Sequence, residues 1–282
     1  MKDEKTVNDG ASKKDRPTIA RSGILHANWY NHPKYYDIAF QACTSREADF
    51  IEAVCRKYCL FKVSRFLEPA CGSGRLITEF AARGYQVTGF DLSRPALSYL
   101  RRRLARRRLY AEIFAAEMSE FRLGRSADSA YCLINTFSHL LTEQAARAHL
   151  ECIASSVRPS GIYVLAMNLL PLDVEKREVL RWTQWRGKTK VTITQRVLRT
   201  DLHRRIEDVQ VCLMARHGSK ELRLQHAFQL RTYTLRQFRR LVASVPSLEL
   251  CDVYDVRYDI DQPLALNAEI AYGLFVLRRL PS

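Results

Sequence analysis

The chain of 282 residues is long enough to bury a sizeable core and to form one large domain or a domain with an insertion. Its hydrophobic content of 47% and charged content of 27% are ordinary for a globular protein, and no apolar run approaches the roughly 18 residues of a membrane span. Three explanations of the net charge of +15 are open, namely binding to nucleic acid, binding to an acidic substrate, or a surface that is merely rich in arginine.

The N-terminal residues are polar and contain no apolar signal core, so we expect residues 1–27 to form a disordered tail and the protein to be cytoplasmic. Eight cysteines are scattered along the chain without a CxxC pair. This spacing favours neither a disulfide scaffold nor a zinc site. The sequence therefore predicts reduced thiols and no metal.

Residues 66–91 read FLEPACGSGRLITEFAARGYQVTGFD and organise the first half of the chain. The pattern predicts a strand, a tight glycine turn, a helix and a second strand that ends at an acid. Gly72 and Gly74 would let the backbone turn sharply and let a ligand approach it closely. Asp91 would then accept a hydrogen bond from a ribose hydroxyl, as in half of a nucleotide-binding βαβ unit.

Two features of this turn argue against a dinucleotide. The third glycine that a pyrophosphate loop uses is missing, since Arg75 and two apolar residues follow Gly74. Glu68 also puts a carboxylate at the mouth of the turn, where it would repel a phosphate. S-Adenosylmethionine is cationic and carries no phosphate, so the turn favours it as the ligand.

The segment from Glu68 to Gly74, EPACGSG, together with Asp91 resembles the first two motifs of class I S-adenosylmethionine-dependent methyltransferases. The family opens with Asp or Glu followed by x-G-x-G-x-G, and this chain has Ala70 at the first glycine position. The resemblance implies an α/β, Rossmann-like fold with a seven-stranded sheet whose last strand is antiparallel. It also implies that S-adenosylmethionine contacts Glu68, Ala70, Cys71, Gly72, Gly74, Asp91 and Leu92.

The resemblance extends to the next two strands, predicted near residues 112–115 and 128–134. In the family, an acid and the residue after it commonly recognise adenine, which implies a contact from the Glu117 carboxylate and from the Met118 amide. Asn135 and His139 follow the fourth strand at its carboxyl end, where doubly wound sheets bind ligands. Asn135 is predicted to touch the cofactor or the acceptor. His139 is a candidate general base, with a structural role as the alternative.

An aromatic segment precedes the first strand of the sheet, and a helix is predicted over residues 38–61. The sequence from Tyr36 to Phe40, YDIAF, resembles a Tyr-Asp-x-x-Tyr pattern of methyltransferase N-terminal segments that close over the cofactor. Tyr30, Tyr35 and Tyr36 are therefore lid candidates, and Tyr30 and Tyr36 are assigned to the catalytic site. Packing in the core or at an interface is the alternative for each tyrosine.

Residues 171–231 change character, because apolar and polar residues alternate at 191–197, 206–214 and 222–230. Three half-buried antiparallel strands follow from this period of two. We predict an inserted antiparallel β-platform between two parts of a methyltransferase domain, residues 28–170 and 232–282. The platform would be a substrate lid or a dimerisation surface, and both alternatives stay open.

The leading hypothesis is a methyltransferase that uses S-adenosylmethionine to methylate the N or O atom of a small molecule. An RNA or protein methyltransferase using the basic surface is the alternative, followed by a non-catalytic S-adenosylmethionine-binding scaffold. The densest basic run, residues 101–108, has no interleaved aromatic residues on which bases could stack. A solvated helix face is therefore favoured over a nucleic-acid site, no membrane partner is expected, and a homodimer remains open.

Overall fold

The computed structural model describes residues 18–19, 23–170, 179–267 and 269–281. Its α-helices are α1 (Pro33–Phe40), α2 (Thr44–Tyr58), α3 (Arg75–Ala82), α4 (Arg94–Arg106), α5 (Glu143–Ser156) and α6 (Leu235–Ala243). Short 3-10 helices cover Trp29–Asn31, Gln41–Cys43 and Thr136–His139. Within these ranges, no helix combines the length and the apolar character needed to span a membrane.

The strands form two sheets. The larger sheet contains β3 (Arg65–Pro69), β4 (Gln86–Phe90), β5 (Glu112–Phe114), β6 (Ala127–Cys132), β7 (Val157–Asn168), β12 (Leu248–Tyr254) and β13 (Tyr272–Arg279). The smaller sheet contains β1 (Thr18–Ile19), β2 (Leu25–His26), β8 (Val179–Arg186), β9 (Thr189–Asp201), β10 (Ile206–His217) and β11 (Lys220–Arg231).

The larger sheet has the order β12-β13-β7-β6-β3-β4-β5. Only β13 runs antiparallel to its neighbours β12 and β7, while the other pairs are parallel. This arrangement is the predicted seven-stranded, Rossmann-like α/β sheet. The strand order reverses between β3 and β6, so their carboxyl ends form the topological switch point where such sheets bind ligands.

Local sequence signals explain most of these elements. In β7, every residue from Ile162 to Met167 is buried, as expected for a strand covered on both faces. Thr142 caps α5 by accepting a hydrogen bond from the Ala145 amide. Helix α5 ends at Ser156, shortly before Pro159, because the residue before a proline is restricted to extended conformations.

The smaller sheet has the order β1-β2-β11-β10-β9-β8 and so contains more strands than the three predicted. Strand β8 was not predicted, because none of its side chains is fully buried and the alternation is therefore hidden. The inner face of the sheet packs on α1 and Trp29. That face consists mainly of Val191, Ile193, Val211, Leu213, Ala215 and Leu224.

The N-terminal segment differs from the prediction in two respects. The first helix begins at Pro33 and not at residue 38, because proline at the first helical position is preorganised for the helix. It is interrupted at Gln41–Cys43, after which α2 ends at Tyr58. The predicted disordered tail is also too long, because Leu25 and His26 form β2 and pair with β11. Residues 1–17 and 20–22 of that tail lie outside the described residues.

Candidate active site

The glycine turn between β3 and α3 lies at the switch point. Ala70, Gly72 and Gly74 all have positive φ angles, of 49°, 54° and 67°. The Cys71 amide donates to the carbonyl oxygen of Phe90 at 2.9 Å, which ties the turn to the end of β4. A Cβ atom on Gly74 would lie 2.1 Å from a methyl carbon of Leu100, so α3 and α4 pack this closely only because Gly74 has no side chain.

Asp91 lies directly beside this turn. Its Oδ2 atom accepts a hydrogen bond from the Gly72 amide at 2.8 Å, and its Oδ1 atom accepts one from the Ser93 amide at 2.7 Å. Burial raises the pKa of Asp91, and the backbone hydrogen bonds counteract that shift. Each carboxylate oxygen has a further lone pair, so Asp91 retains the capacity to accept from ribose hydroxyls. Leu92, also predicted to contact the cofactor, is 65% exposed next to it.

Glu68 ends β3 with a buried carboxyl group. Burial raises the pKa of Glu68 to about 8, and the positive charge of Arg75 opposes this shift. Its Oε2 atom has no hydrogen-bond partner among the described residues. An ammonium group next to Glu68 would therefore both satisfy this atom and stabilise the charged carboxylate. The cleft at this point is lined by Tyr36, Glu68, Pro69, Ala70, Cys71, Gly72, Ser73, Arg75, Leu133, Ile134 and Thr136.

Arg75 belongs to the same cleft, and the sequence did not single it out as a site residue. It is buried, forms an ion pair with Glu47 of α2, and lies 3.3 Å from the hydroxyl oxygen of Thr44. A buried guanidinium group is suited to holding a carboxylate, such as that of an amino-acid ligand. The only sequence signal was a basic residue at the first position of a helix. The pairing with Glu47 was not readable, because Glu47 lies 28 positions upstream.

Hydrogen bonds within the protein fix the loop that contains Glu117 and Met118. The Met118 amide donates to Oε1 of Glu117 at 3.0 Å, so the two groups predicted to recognise adenine bond to each other here. The Met118 carbonyl oxygen lies 2.9 Å from Nδ1 of His149, whose Nε2 lies 2.8 Å from the hydroxyl of Tyr163. Burial lowers the pKa of His149 to about 4. The neutral ring then donates to Met118 and accepts from Tyr163.

The chain turns sharply after β6. Ile134 and Asn135 both have a φ angle of 56°, which is costly for a β-branched residue such as Ile134. Oδ1 of Asn135 accepts from the Ser138 hydroxyl at 2.8 Å and from the Asn168 amide at 2.9 Å. The Asn135 side chain thus braces the ends of β6 and β7. Its predicted cofactor contact would have to coexist with this structural role.

The structure brings Tyr30 and His139 together. The hydroxyl oxygen of Tyr30 lies 2.8 Å from Nε2 of His139, and the ring centroid of Phe228 in β11 lies 5.4 Å from that of His139. Burial and the nearby His226 lower the pKa of His139 to about 4, while burial raises the pKa of Tyr30. The N-terminal segment, the large sheet and the inserted sheet therefore all contribute to one aromatic cluster.

Tyr36 connects this cluster to the cleft of the glycine turn. Its side chain lines the cleft, and its ring centroid lies 5.8 Å from that of Tyr30. Burial raises the pKa of Tyr36, which keeps its hydroxyl protonated. Tyr35 instead stacks on His32, with a centroid distance of 6.5 Å. In the described part of the chain, no group of three or more His, Cys, Asp and Glu side chains is arranged to hold a metal ion.

Residues 66–161 match the family model described as "Methyltransferase domain". Among curated proteins, the dTDP-3-amino-3,6-dideoxy-alpha-D-glucopyranose N,N-dimethyltransferase of Streptomyces fradiae is 30% identical over 147 residues, which are 52% of this chain and 56% of that protein. The dTDP-3-amino-3,4,6-trideoxy-alpha-D-glucopyranose N,N-dimethyltransferase of Streptomyces venezuelae is 27% identical over 104 residues, 37% of this chain and 42% of that protein. The chain thus spans about half the length of the curated relatives that it matches.

Solved structures with low sequence identity share the fold. An S-adenosylmethionine-dependent methyltransferase from Clostridium acetobutylicum superposes with a TM-score of 0.73 at 15% identity, over 90% of this chain and 100% of that chain. The sugar N-methyltransferase KedS8 from Streptoalloteichus superposes with a TM-score of 0.68 at 15% identity, over 100% and 99%. The fold is that of the class I S-adenosylmethionine-dependent methyltransferases, as the sequence predicted. Within this fold, the match to the family model runs from β3 to the start of β7.

Proposed function

We propose that this chain is an S-adenosylmethionine-dependent methyltransferase that methylates the amino group of a small molecule, namely a nucleotide-linked amino sugar. One observation supports this proposal above the others. The Tyr30–His139 pair, 2.8 Å apart, stands at the carboxyl end of the sheet next to Tyr36, which lines the cleft of the glycine turn. A cofactor site and a polar, largely buried acceptor site therefore adjoin each other.

The residues of the cleft fit S-adenosylmethionine group by group. Asp91 would hold the ribose hydroxyls, Glu68 the ammonium, and Arg75 the carboxylate of the methionine portion. Glu117 and Met118 would exchange their mutual hydrogen bond for contacts with adenine. The bound cofactor supplies a methyl group activated by its sulfonium charge. The protein then has to align the acceptor and exclude water.

The acceptor is proposed to be an amine because of the relatives and because of the electrostatics of the pocket. The names of both curated relatives describe N,N-dimethyltransferases of dTDP-linked 3-amino sugars. With its pKa lowered to about 4, His139 is neutral at physiological pH and places no positive charge beside a sulfonium. Its neutral ring and the Tyr30 hydroxyl would orient an uncharged amine by hydrogen bonds. A stronger base is not required, since the methylated amine loses its proton after the transfer.

A methyltransferase of RNA has weaker support. The basic surface was the argument for it, yet in its densest run, residues 101–108, several arginines have intramolecular partners. Arg103 pairs with Asp37, Arg101 donates to the carbonyl oxygen of Ile113, and Arg102 donates to the hydroxyl of Ser98.

A homodimer and a reducing cytoplasmic location remain parts of the proposal, and the eight cysteines, all free, fit such a location.

The proposal is tested by incubating the protein with methyl-labelled S-adenosylmethionine and matched acceptors. The pair would be a dTDP-linked 3-amino-deoxy sugar and the same sugar nucleotide with a hydroxyl in place of the amine. We expect label in the amino sugar and little in the hydroxyl analogue. Label that appears only in added RNA, and that ribonuclease abolishes, would contradict the proposal and favour the RNA methyltransferase.

A further inference from the structure

Asp37 of α1 is a fully buried acid with three polar partners outside its own helix. Its Oδ1 atom lies 2.5 Å from a guanidinium nitrogen of Arg103 in α4. Its Oδ2 atom lies 2.6 Å from a guanidinium nitrogen of Arg186 in β8 and accepts from the hydroxyl of Tyr99 in α4 at 2.9 Å. The three partners come from two separate parts of the fold.

The energetics of this arrangement depend on all three parts of the chain being in place. A buried carboxylate is strongly unfavourable unless its charge is paired and its lone pairs are hydrogen-bonded. Helix α4 supplies Arg103 from the large-sheet domain, and β8 supplies Arg186 from the inserted sheet. Displacement of either part, or of α1 itself, would leave Asp37 incompletely paired. One carboxylate thus links the N-terminal segment, the methyltransferase core and the insertion.

Further contacts attach the same segment to β8. The Arg186 Nε and Nη2 atoms donate to Oε1 of Gln41 at 2.8 and 2.6 Å, and Nε2 of Gln41 donates to the carbonyl oxygen of Trp185 at 2.8 Å. The indole N–H of Trp182 donates to the carbonyl oxygen of Ala39 at 3.0 Å. Asp37 is the buried charged side chain among these contacts, so removal of its charge should weaken the attachment of α1 to β8 most.

The position of α1 matters because Tyr36, adjacent to Asp37, lines the cofactor cleft, and Tyr30 of the same segment contacts His139. We infer that Asp37 is a positioning residue, a latch that holds the N-terminal segment and the inserted sheet together over the cleft and thereby couples cofactor binding to acceptor binding. This inference rests on the proposed function, because it takes the cleft of the glycine turn as the S-adenosylmethionine site and the Tyr30–His139 pair as part of the acceptor site.

The latch is tested by steady-state kinetics of Asp37→Asn, which preserves size and removes the charge. If only a fraction of the free protein keeps α1 docked, the apparent affinity for either substrate falls to that same fraction of its intrinsic value. We expect the KM values for S-adenosylmethionine and for the amino sugar to rise together, by about tenfold, with kcat at saturation changed less than about twofold. Unchanged KM values in a variant that merely unfolds at a lower temperature would overturn the latch.

Two further variants keep the test decisive if Asp37→Asn does not fold. Arg186→Gln breaks the link from the inserted sheet at a side chain that is 40% exposed, so we expect it to fold and to raise both KM values in parallel. Arg181→Gln, on the same strand and exposed, is the matched control and should change neither KM value. A rise confined to one substrate in Arg186→Gln would also overturn the latch.

Failure of the proposed function has a different signature. Calorimetry with S-adenosylhomocysteine needs no acceptor, so a wild-type protein that does not bind it refutes the cofactor assignment itself. A wild-type protein that binds S-adenosylhomocysteine, together with an Asp37→Asn variant that binds it with unchanged affinity, refutes only the latch. The two results are therefore distinguishable in one titration series.

Discussion

The hydroxyl oxygen of Tyr30 lies 2.8 Å from Nε2 of His139, although 109 positions of the chain separate the two residues. Tyr30 belongs to the N-terminal 3-10 helix and His139 to the 3-10 helix after β6, while Phe228 of the inserted sheet packs against both rings. The contact marks the place where all three parts of the chain converge beside the cleft of the glycine turn.

Substitution of Tyr30→Phe should lower kcat/KM for the amine acceptor by about tenfold, because it removes the hydrogen bond and leaves Nε2 of His139 without this partner. Binding of S-adenosylhomocysteine should be retained, since Tyr36 and not Tyr30 lines that cleft. Initial rates with varied acceptor measure the first effect. Tyr35→Phe, which alters a ring stacked on His32, is the control and should leave the rates unchanged.

Substitution of Asp91→Asn should weaken the binding of S-adenosylhomocysteine by about 1–3 kcal/mol, because a charge-assisted acceptor for the ribose hydroxyls is lost. Calorimetry on the folded variant measures the change. Glu249→Ala, at the opposite edge of the sheet in β12, should bind normally. Equal affinity in wild type and Asp91→Asn would exclude Asp91 from the cofactor site.

The two glycines of the turn should respond differently to alanine. At Gly74 a Cβ atom would lie 2.1 Å from a side-chain carbon of Leu100 and would also require a positive φ angle, so Gly74→Ala should destabilise the protein by about 2–4 kcal/mol. At Gly72 the nearest atom would be Oδ2 of Asp91 at 4.0 Å, which leaves only the conformational cost of about 1–2 kcal/mol. Urea denaturation measures both, and a smaller loss for Gly74→Ala would be inconsistent with this packing.

The buried, neutral His149 should make stability depend on pH. Its pKa is lowered from 6.5 to about 4 in the folded protein, so between these values the unfolded chain binds more protons than the folded chain. Ionisation of His149 therefore leaves the free energy of unfolding unchanged above pH 6.5. As the pH falls toward 4, it lowers the free energy of unfolding by up to about 3 kcal/mol. His149→Gln should flatten the decline measured by denaturation at several pH values, whereas His203→Gln, at an exposed site, should not.

Local patterns in the sequence predicted a large part of the fold. The glycine turn, its following helix and Asp91 lie within 26 residues, where the requirement for positive φ and the 3.6-residue period are readable directly. Strict alternation likewise revealed β9, β10 and β11 in the insertion. In β8 and in the N-terminal segment, tertiary packing determined the structure. Strand β2, for example, forms by pairing with β1 on one side and with β11 on the other.

The positions of candidate site residues were predictable where they follow strands of the large sheet, as Asp91 follows β4 and Asn135 follows β6. Tyr30 and Tyr36 were predicted for the catalytic site and His139 as a candidate general base, and the structure places the three side chains near one another. The pairing of Glu47 with Arg75, the partners of the buried Asp37 and the role of His149 were missed, because each depends on a contact between distant segments. No local period encodes such a contact. The positive φ angle of Ile134 was equally unreadable, since a β-branched residue does not signal a left-handed turn.

The proposed function requires an amine acceptor to be held between the Tyr30–His139 pair and the cofactor in the cleft of the glycine turn. The most direct measurement is a crystal structure of the protein with S-adenosylhomocysteine and a dTDP-linked 3-amino sugar. We expect the amine nitrogen to contact the Tyr30–His139 pair and to point at the cofactor sulfur, at a separation that leaves about 3–3.5 Å to a methyl carbon in line. An amino sugar bound elsewhere, or with its amine directed away from the sulfur, would contradict the claim.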